Sequence, residues 1–219
     1  MYAPTLFVDS ADQRAAEALF ATGAFTGLTT NPTILERGGA VTADLPDINR
    51  WARAAGAREV CFQTWGETRE ELLANASRLL DIDARTVVKV PCTAAGVPAA
   101  ATLIEQGVEV LLTAVYKPSQ MVVASSIGAR YVAPYVGRMS DSGADAHADV
   151  VAMHAIAAGG RTTVLAASLR SADDVSRLAA AGVPAFTLSP PVAWDLVRDE
   201  RSDAATEVFE ATMARLGSL

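Results

Sequence analysis

The sequence predicts a single-domain α/β protein, a closed (β/α)8 barrel of the TIM type with an extra C-terminal helix. Three observations predict it. Short β-branched or apolar runs alternate with helix-like segments from one end of the chain to the other. Eight such runs can be placed, each followed by a helical stretch, about 20–30 residues apart, as in successive βα units. The 219 residues suit one such barrel, and at 51% hydrophobic residues they can bury a large core. A doubly wound open sheet is the competitor. It usually has fewer strands and a G-x-G-x-x-G first turn, which this chain lacks. No linker, low-complexity tract or short repeat divides residues 1–219, so one domain is expected.

The first strand is Leu6-Phe7-Val8, leading to Asp9. A helix is expected over 10–22, with Ala15, Leu19 and Phe20 at helical spacing and Ser10 or Asp12 as its cap. The second strand, 26–30, is closed by Asn31-Pro32, where proline forbids continuation. The Gly-rich piece Arg37-Gly38-Gly39 precedes a helix over 46–55. The third strand, 59–63, leads to a charged amphipathic helix over 68–80, whose opening Thr68-Arg69-Glu70-Glu71 has capping-box spacing. The fourth strand, 86–91, leads to a helix that opens at Thr93-Ala94-Ala95-Gly96 and runs to Gln106. The fifth strand, 109–115, precedes a helix over 118–127. The sixth, 131–135, precedes a polar loop over 140–144 and a helix over 147–157. The seventh, 162–167, ends at Ser168 and is followed by a helix over 171–181 that stops at Gly182. The eighth is 184–188. Two helices close the chain, over 192–197 and 203–216. The last carries Ala205, Val208, Phe209, Thr212 and Met213 on one side and is surplus to eight barrel units.

Composition narrows the function. A net charge of −7 argues against nucleic acid or an anionic membrane as partner, while leaving local arginines for a small anion. Cys61 and Cys92 lie far apart, form no metal-ligand pattern and fall in apolar runs, so reduced core thiols and no metal site are expected. Met1-Tyr2-Ala3-Pro4 opens no secretory leader, and no apolar run reaches spanning length; a soluble cytoplasmic protein is the expectation.

The run Thr86-Val87-Val88-Lys89-Val90-Pro91 holds a lysine inside a strand that reads as buried. Lys89 and Lys117 are the chain's two lysines; its other cations are arginines. A buried ammonium is unfavourable unless paired or deprotonated, and lysine, unlike arginine, can lose its proton. A neutral amine in that place suits nucleophilic attack on a carbonyl and Schiff-base formation. The plain alternative is a strand-end lysine that reaches solvent.

In a barrel enzyme the chemistry gathers at the carboxyl ends of the strands. Asp9, Thr29, Asn31, Gln63, Lys89, Thr113, Tyr135 and Ser168 all fall in or just after predicted strands. Each alone has a structural explanation: Asp9 as a helix cap, Asn31 as a turn former, Thr113 as a β-former, Tyr135 as core. Their convergence on one mouth does not.

These residues carry a resemblance. Gly27-Leu28-Thr29-Thr30-Asn31-Pro32, Val87-Val88-Lys89-Val90-Pro91, Thr113-Ala114-Val115-Tyr116, Tyr131-Val132-Ala133-Pro134-Tyr135-Val136 with Arg138, and Leu165-Ala166-Ala167-Ser168 occur in order over nearly the whole chain. The chain resembles the transaldolase superfamily, in particular its small-subunit branch that contains fructose-6-phosphate aldolase. The resemblance implies a class I aldolase without metal or other cofactor. Lys89 would form the Schiff base with the C2 carbonyl of a ketose phosphate. Gln63, Thr113 and Tyr135 would hold a proton-carrying water. Asp9, Asn31, Thr29 and Ala133 would line the substrate near the lysine, and Arg138, Ser168 and Arg170 would hold its phosphate. It also implies a ring-shaped homo-oligomer, commonly a decamer, with the 203–216 helix packed on a neighbouring subunit instead of on its own barrel.

The residues also separate the branches. Transaldolases resemble one another in a glutamate at the end of the third strand, where this chain has Gln63, and tend to lack the tyrosine found here as Tyr135. The expected reaction is therefore reversible cleavage of fructose 6-phosphate to dihydroxyacetone and glyceraldehyde 3-phosphate. A transaldolase passing the three-carbon unit between sugar phosphates is the alternative, and a non-catalytic sugar-phosphate-binding barrel is the alternative of another class. Departures from the family pattern are Lys117 after Tyr116, Gly137 before Arg138, a bulky Trp65 and Cys92. His147 and His154 fall on an outer helix and receive no catalytic role.

Overall fold

The computed structural model describes residues 3–217. Eight parallel strands pair in chain order and close on themselves: β1 (Thr5–Asp9), β2 (Phe25–Thr29), β3 (Glu59–Gln63), β4 (Val87–Pro91), β5 (Val110–Val115), β6 (Tyr131–Pro134), β7 (Thr163–Ala166) and β8 (Ala185–Leu188). Helices α1 (Gln13–Phe20), α2 (Pro32–Arg37), α3 (Leu45–Ala54), α4 (Arg69–Ile82), α5 (Gly96–Glu105), α6 (Pro118–Ile127), α7 (Val136–Asp141), α8 (Ala146–Ala157), α9 (Ala172–Ala180), α10 (Pro190–Asp195) and α11 (Glu200–Leu216) occupy the connections and the C-terminal segment. This is the (β/α)8 barrel that the strand count predicts.

Strand alternation sorts the core into two shells. Phe7, Cys61, Val87, Leu111, Tyr131, Leu165 and Ala185 point inward and fill the barrel. Their neighbours Val8, Leu28, Val60, Val88, Leu112, Val132 and Phe186 point outward and pack beneath the helices. Gly27 is required by this interior: a Cβ there would lie 2.1 Å from Phe7 Cδ1. At the amino ends of the strands, Arg130 pairs with Glu59, and Arg161 pairs with Glu109 at 2.6 Å, on the face opposite the active-site mouth of such barrels.

Two helices lie where none is expected. Asn31-Pro32 does end β2, but the same proline supplies the fixed φ of a first helical residue, and Ile34 N–H donates to Asn31 Oδ1 at 3.1 Å, so α2 begins there. Gly137 and Ser140 mask α7, whose first turn follows Tyr135 directly. Helix α11 starts earlier than expected, at Glu200, where Asp199 Oδ1 accepts from Arg201 N–H at 2.9 Å. It buries no residue, leaving Val208, Phe209, Met213 and Leu216 more than half exposed. No helix among the described residues is long and apolar enough to cross a membrane.

Candidate active site

The inward positions of the last strand turns form the floor of a cavity of about 410 Å³ at the carboxyl end of the barrel. Asp9, Thr29, Asn31, Lys89, Ala133, Tyr135, Arg138 and Ser168 line it together. Register explains part of the floor: Asp9 lies opposite Thr29 on the adjoining strand.

Lys89 is 4% exposed, and its Nζ donates to the Thr30 carbonyl at 2.9 Å. Asp9 Oδ1 accepts from Thr29 Oγ1 at 2.5 Å, and Thr29 Oγ1 lies 2.6 Å from Thr187 Oγ1. Burial pushes the Asp9 carboxyl above its ordinary range, opposed by the positive charge of Lys89, the Thr29 hydroxyl and Arg138.

On the far wall the Tyr135 hydroxyl and Thr113 Oγ1 are 2.9 Å apart. Thr113 is buried beneath the phenol and reaches the cavity through it. The Arg138 guanidinium sits over the Tyr135 ring at 4.6 Å, and Tyr116 meets that ring edge-on at 5.7 Å. Among the described residues the non-glycine positions with positive φ are Ala114 (56°) and Ser168 (59°). Ala114 lies within β5 beside Thr113, and Ser168 follows β7. Ala114 stands where the β5–β6 register shifts, and Ser168 turns the chain at the cavity rim. Such conformations are disfavoured by about 1–2 kcal/mol and persist where surrounding structure holds them.

Two expected residues are placed differently. Arg170 does not line the cavity; its guanidinium reaches along the rim to Asp141, with Nη1 2.7 Å from Oδ1. Gln63 faces a second hollow of about 840 Å³ beside the first, with Phe62 and Trp65. The two hollows meet at Asn31 and Thr33, which line both. Lys117 is exposed, and its backbone N–H donates to Gln120 Oε1 at 3.2 Å.

Several lining residues escaped the sequence reading. Thr187 could have been found by alternation from Ala185 in the eighth strand. Arg37 lies at the end of the unforeseen helix α2 and had no strand-end signal. Cys61 is buried inside the barrel, where desolvation pushes its thiol up to about 12; Cys92 is half-buried, and both are free. His147 pairs with Asp174 at 3.2 Å, and neither histidine lines the cavity. Among the described residues no group of three or more His, Cys, Asp or Glu side chains is placed to hold a metal ion.

Comparison with known proteins follows the same lines. A family model described as "Transaldolase/Fructose-6-phosphate aldolase" matches residues 6–218. A "Probable transaldolase" of Caulobacter vibrioides (strain NA1000 / CB15N) is 31% identical over 218 residues, covering 97% of each chain. Another of that name, from Heliobacterium modesticaldum (strain ATCC 51547 / Ice1), is 30% identical over 209 residues, covering 93% of this chain and 94% of its own. Among solved structures, thiamine phosphate pyrophosphorylase from Pyrococcus furiosus superposes with a TM-score of 0.63 at 13% identity, over 86% of this chain and 87% of that one. A mandelate oxidase mutant superposes at 0.60 and 20% identity, over 86% and 65%. At such identities the superpositions speak to the barrel alone.

Proposed function

The chain belongs to the transaldolase/fructose-6-phosphate aldolase family, and on that premise we propose that it is a class I aldolase. It cleaves or forms the C3–C4 bond of a ketose phosphate such as fructose 6-phosphate through a Schiff base on Lys89. The observation that carries this reading is a lysine amine 4% exposed, with one carbonyl partner, in a cavity that also holds the Tyr135 hydroxyl 2.9 Å from Thr113.

Lys89 Nζ adds to the C2 carbonyl, and the carbinolamine loses water to give an iminium. The C4 hydroxyl gives up its proton and the C3–C4 bond breaks. Its electron pair moves to C3 and neutralises the iminium, leaving an enamine on the enzyme and releasing glyceraldehyde 3-phosphate. Protonation at C3 and hydrolysis return dihydroxyacetone and the free amine. The Tyr135 phenol, paired with Thr113, acts directly or through a water as the proton carrier. Asp9 and Asn31 orient the hydroxyls near the lysine, while Arg138 and Ser168 stand at the phosphate end.

Gln63 and Tyr135 favour release over transfer. A glutamine has no proton to exchange at neutral pH, so proton transfer falls to the phenol, the arrangement the resemblance gives to the aldolase branch. The names of the relatives, probable transaldolases, favour a second reading, transfer of the dihydroxyacetone unit to an aldose phosphate. Fructose 6-phosphate supplied alone separates them. Sustained formation of glyceraldehyde 3-phosphate without an acceptor is expected; turnover only after an aldose phosphate is added would establish the transferase. The unburied apolar stripe of α11 supports packing on a neighbouring copy in a ring homo-oligomer, a decamer by resemblance, which light scattering measures.

A further inference from the structure

We propose that Arg37 is a further substrate-binding residue that grips the anionic group together with Arg138, and that Arg170 is a positioning residue clamped by Asp141. The proposal rests on the aldolase reading for the identity of the substrate, a phosphate monoester, and for the neutral Lys89 in its charge argument.

Arg170 is the first part of the case. Both its terminal nitrogens donate to Asp141, so the planar fork that would clasp a phosphate already clasps a carboxylate. Its route is fixed by Gly137: a Cβ there would fall 2.8 Å from Arg170 Nε and 2.5 Å from the Ser168 carbonyl. The side chain therefore lies across the backbone of α7 in space that any larger residue would claim. Gly137 N–H donates to Ser168 O at 2.9 Å, and Arg170 N–H donates to Asp174 Oδ2 at 3.3 Å. The clamp thus braces the turn that holds Ser168 at its positive φ and aims it into the cavity.

Arg37 is the second part. It lines the cavity and pairs with no carboxylate among the described residues. It closes α2, a six-residue helix whose N-cap, Asn31, also lines the cavity, so a short rigid element ties it to the floor. Helix α2 follows β2 and Arg138 follows β6, four strands away around a closed ring of eight, so elements on opposite sides of the mouth bring the two arginines to the cavity. Charge favours the pair. With Lys89 neutral, as the aldolase reading requires, Arg138 would be the lining cation left beside the Asp9 carboxyl and Asp12, and Arg37 supplies a second.

The test titrates inorganic phosphate into the intact protein and, in parallel, compares kcat/KM for dihydroxyacetone addition to glyceraldehyde 3-phosphate and to glyceraldehyde. R37Q is expected to weaken phosphate binding about tenfold and to lower the preference for the phosphorylated aldehyde by a similar factor, through KM more than kcat. R170Q and D141N are expected to act alike, each weakening phosphate binding a few-fold, with the double variant no worse than either alone. Unchanged phosphate affinity in R37Q, with its melting temperature preserved, would overturn the proposal. So would D141N binding phosphate more tightly while R170Q loses it, since Arg170 would then be the ligand. Borohydride trapping of dihydroxyacetone, which carries no phosphate, reports on the aldolase reading separately. Its failure beside an Arg37-dependent phosphate site would remove that reading and leave this one standing.

Discussion

Tyr135→Phe removes one oxygen from the candidate site and separates stability from catalysis. The phenol and Thr113 Oγ1 are 2.9 Å apart, and Thr113 is 1% exposed. Without the phenol, the threonine hydroxyl loses its partner where water has little access, which destabilises by about 1–3 kcal/mol. If Tyr135 also carries protons in the reaction, its loss lowers kcat by about 10²–10⁴, or roughly 2.7–5.4 kcal/mol of transition-state stabilisation. Adding Thr113→Val removes the orphaned hydroxyl. The double variant is expected to regain most of the lost stability and none of the lost rate, because replacing both partners by apolar groups is close to neutral. Thermal melting gives the first quantity, and coupled detection of glyceraldehyde 3-phosphate gives the second. A Tyr135→Phe enzyme within threefold of the parent kcat would refute the role assigned to the phenol, whatever its melting temperature.

Asp9→Asn tests the buried carboxylate. Burial raises the Asp9 pKa above its unfolded value, so between those two values the folded state holds the extra proton. The stability of the parent then falls as pH rises through that window and stays reduced above it. The variant has no such titration, so its melting temperature should gain on the parent's as pH rises from the ordinary carboxylate range toward neutrality, while its turnover drops. A variant that loses ground over that interval would contradict the assignment. Gly27→Ala places a methyl 2.1 Å from the Phe7 ring, itself 1% exposed, and should cost at least about 1–3 kcal/mol through overpacking. Phe7→Leu in the same chain should recover part of the loss. An unchanged melting temperature for Gly27→Ala alone would show that the interior has slack.

Much of this architecture was written locally. The run around Lys89 predicts a strand at 86–91, and β4 spans Val87–Pro91. Thr68-Arg69-Glu70-Glu71 predicts a cap, and Glu71 N–H donates to Thr68 Oγ1 at 3.2 Å. Local signals failed where one residue serves two purposes. Pro32 both ends β2 and opens α2, so the start of the helix that delivers Arg37 to the cavity looks like a turn in the sequence. Gly137 reads as a helix breaker, yet tertiary structure needs its missing side chain for Arg170 to cross. The direction of Arg170 was beyond sequence reasoning because its partner, Asp141, lies 29 residues away and only the packing of α7 against the β7 loop brings them together. Alternation turned Gln63 toward the mouth but could not show that the mouth divides into two hollows.

The central assignment is covalent, and one reaction reads it directly. The protein is incubated with dihydroxyacetone or fructose 6-phosphate, reduced with sodium borohydride, digested and mapped by peptide mass. The account predicts a reduced three-carbon adduct from dihydroxyacetone on the peptide containing Lys89, absent when borohydride is omitted and absent from the Lys89→Arg variant. An unmodified Lys89 peptide under conditions of full turnover, or an adduct confined to Lys117, would contradict it.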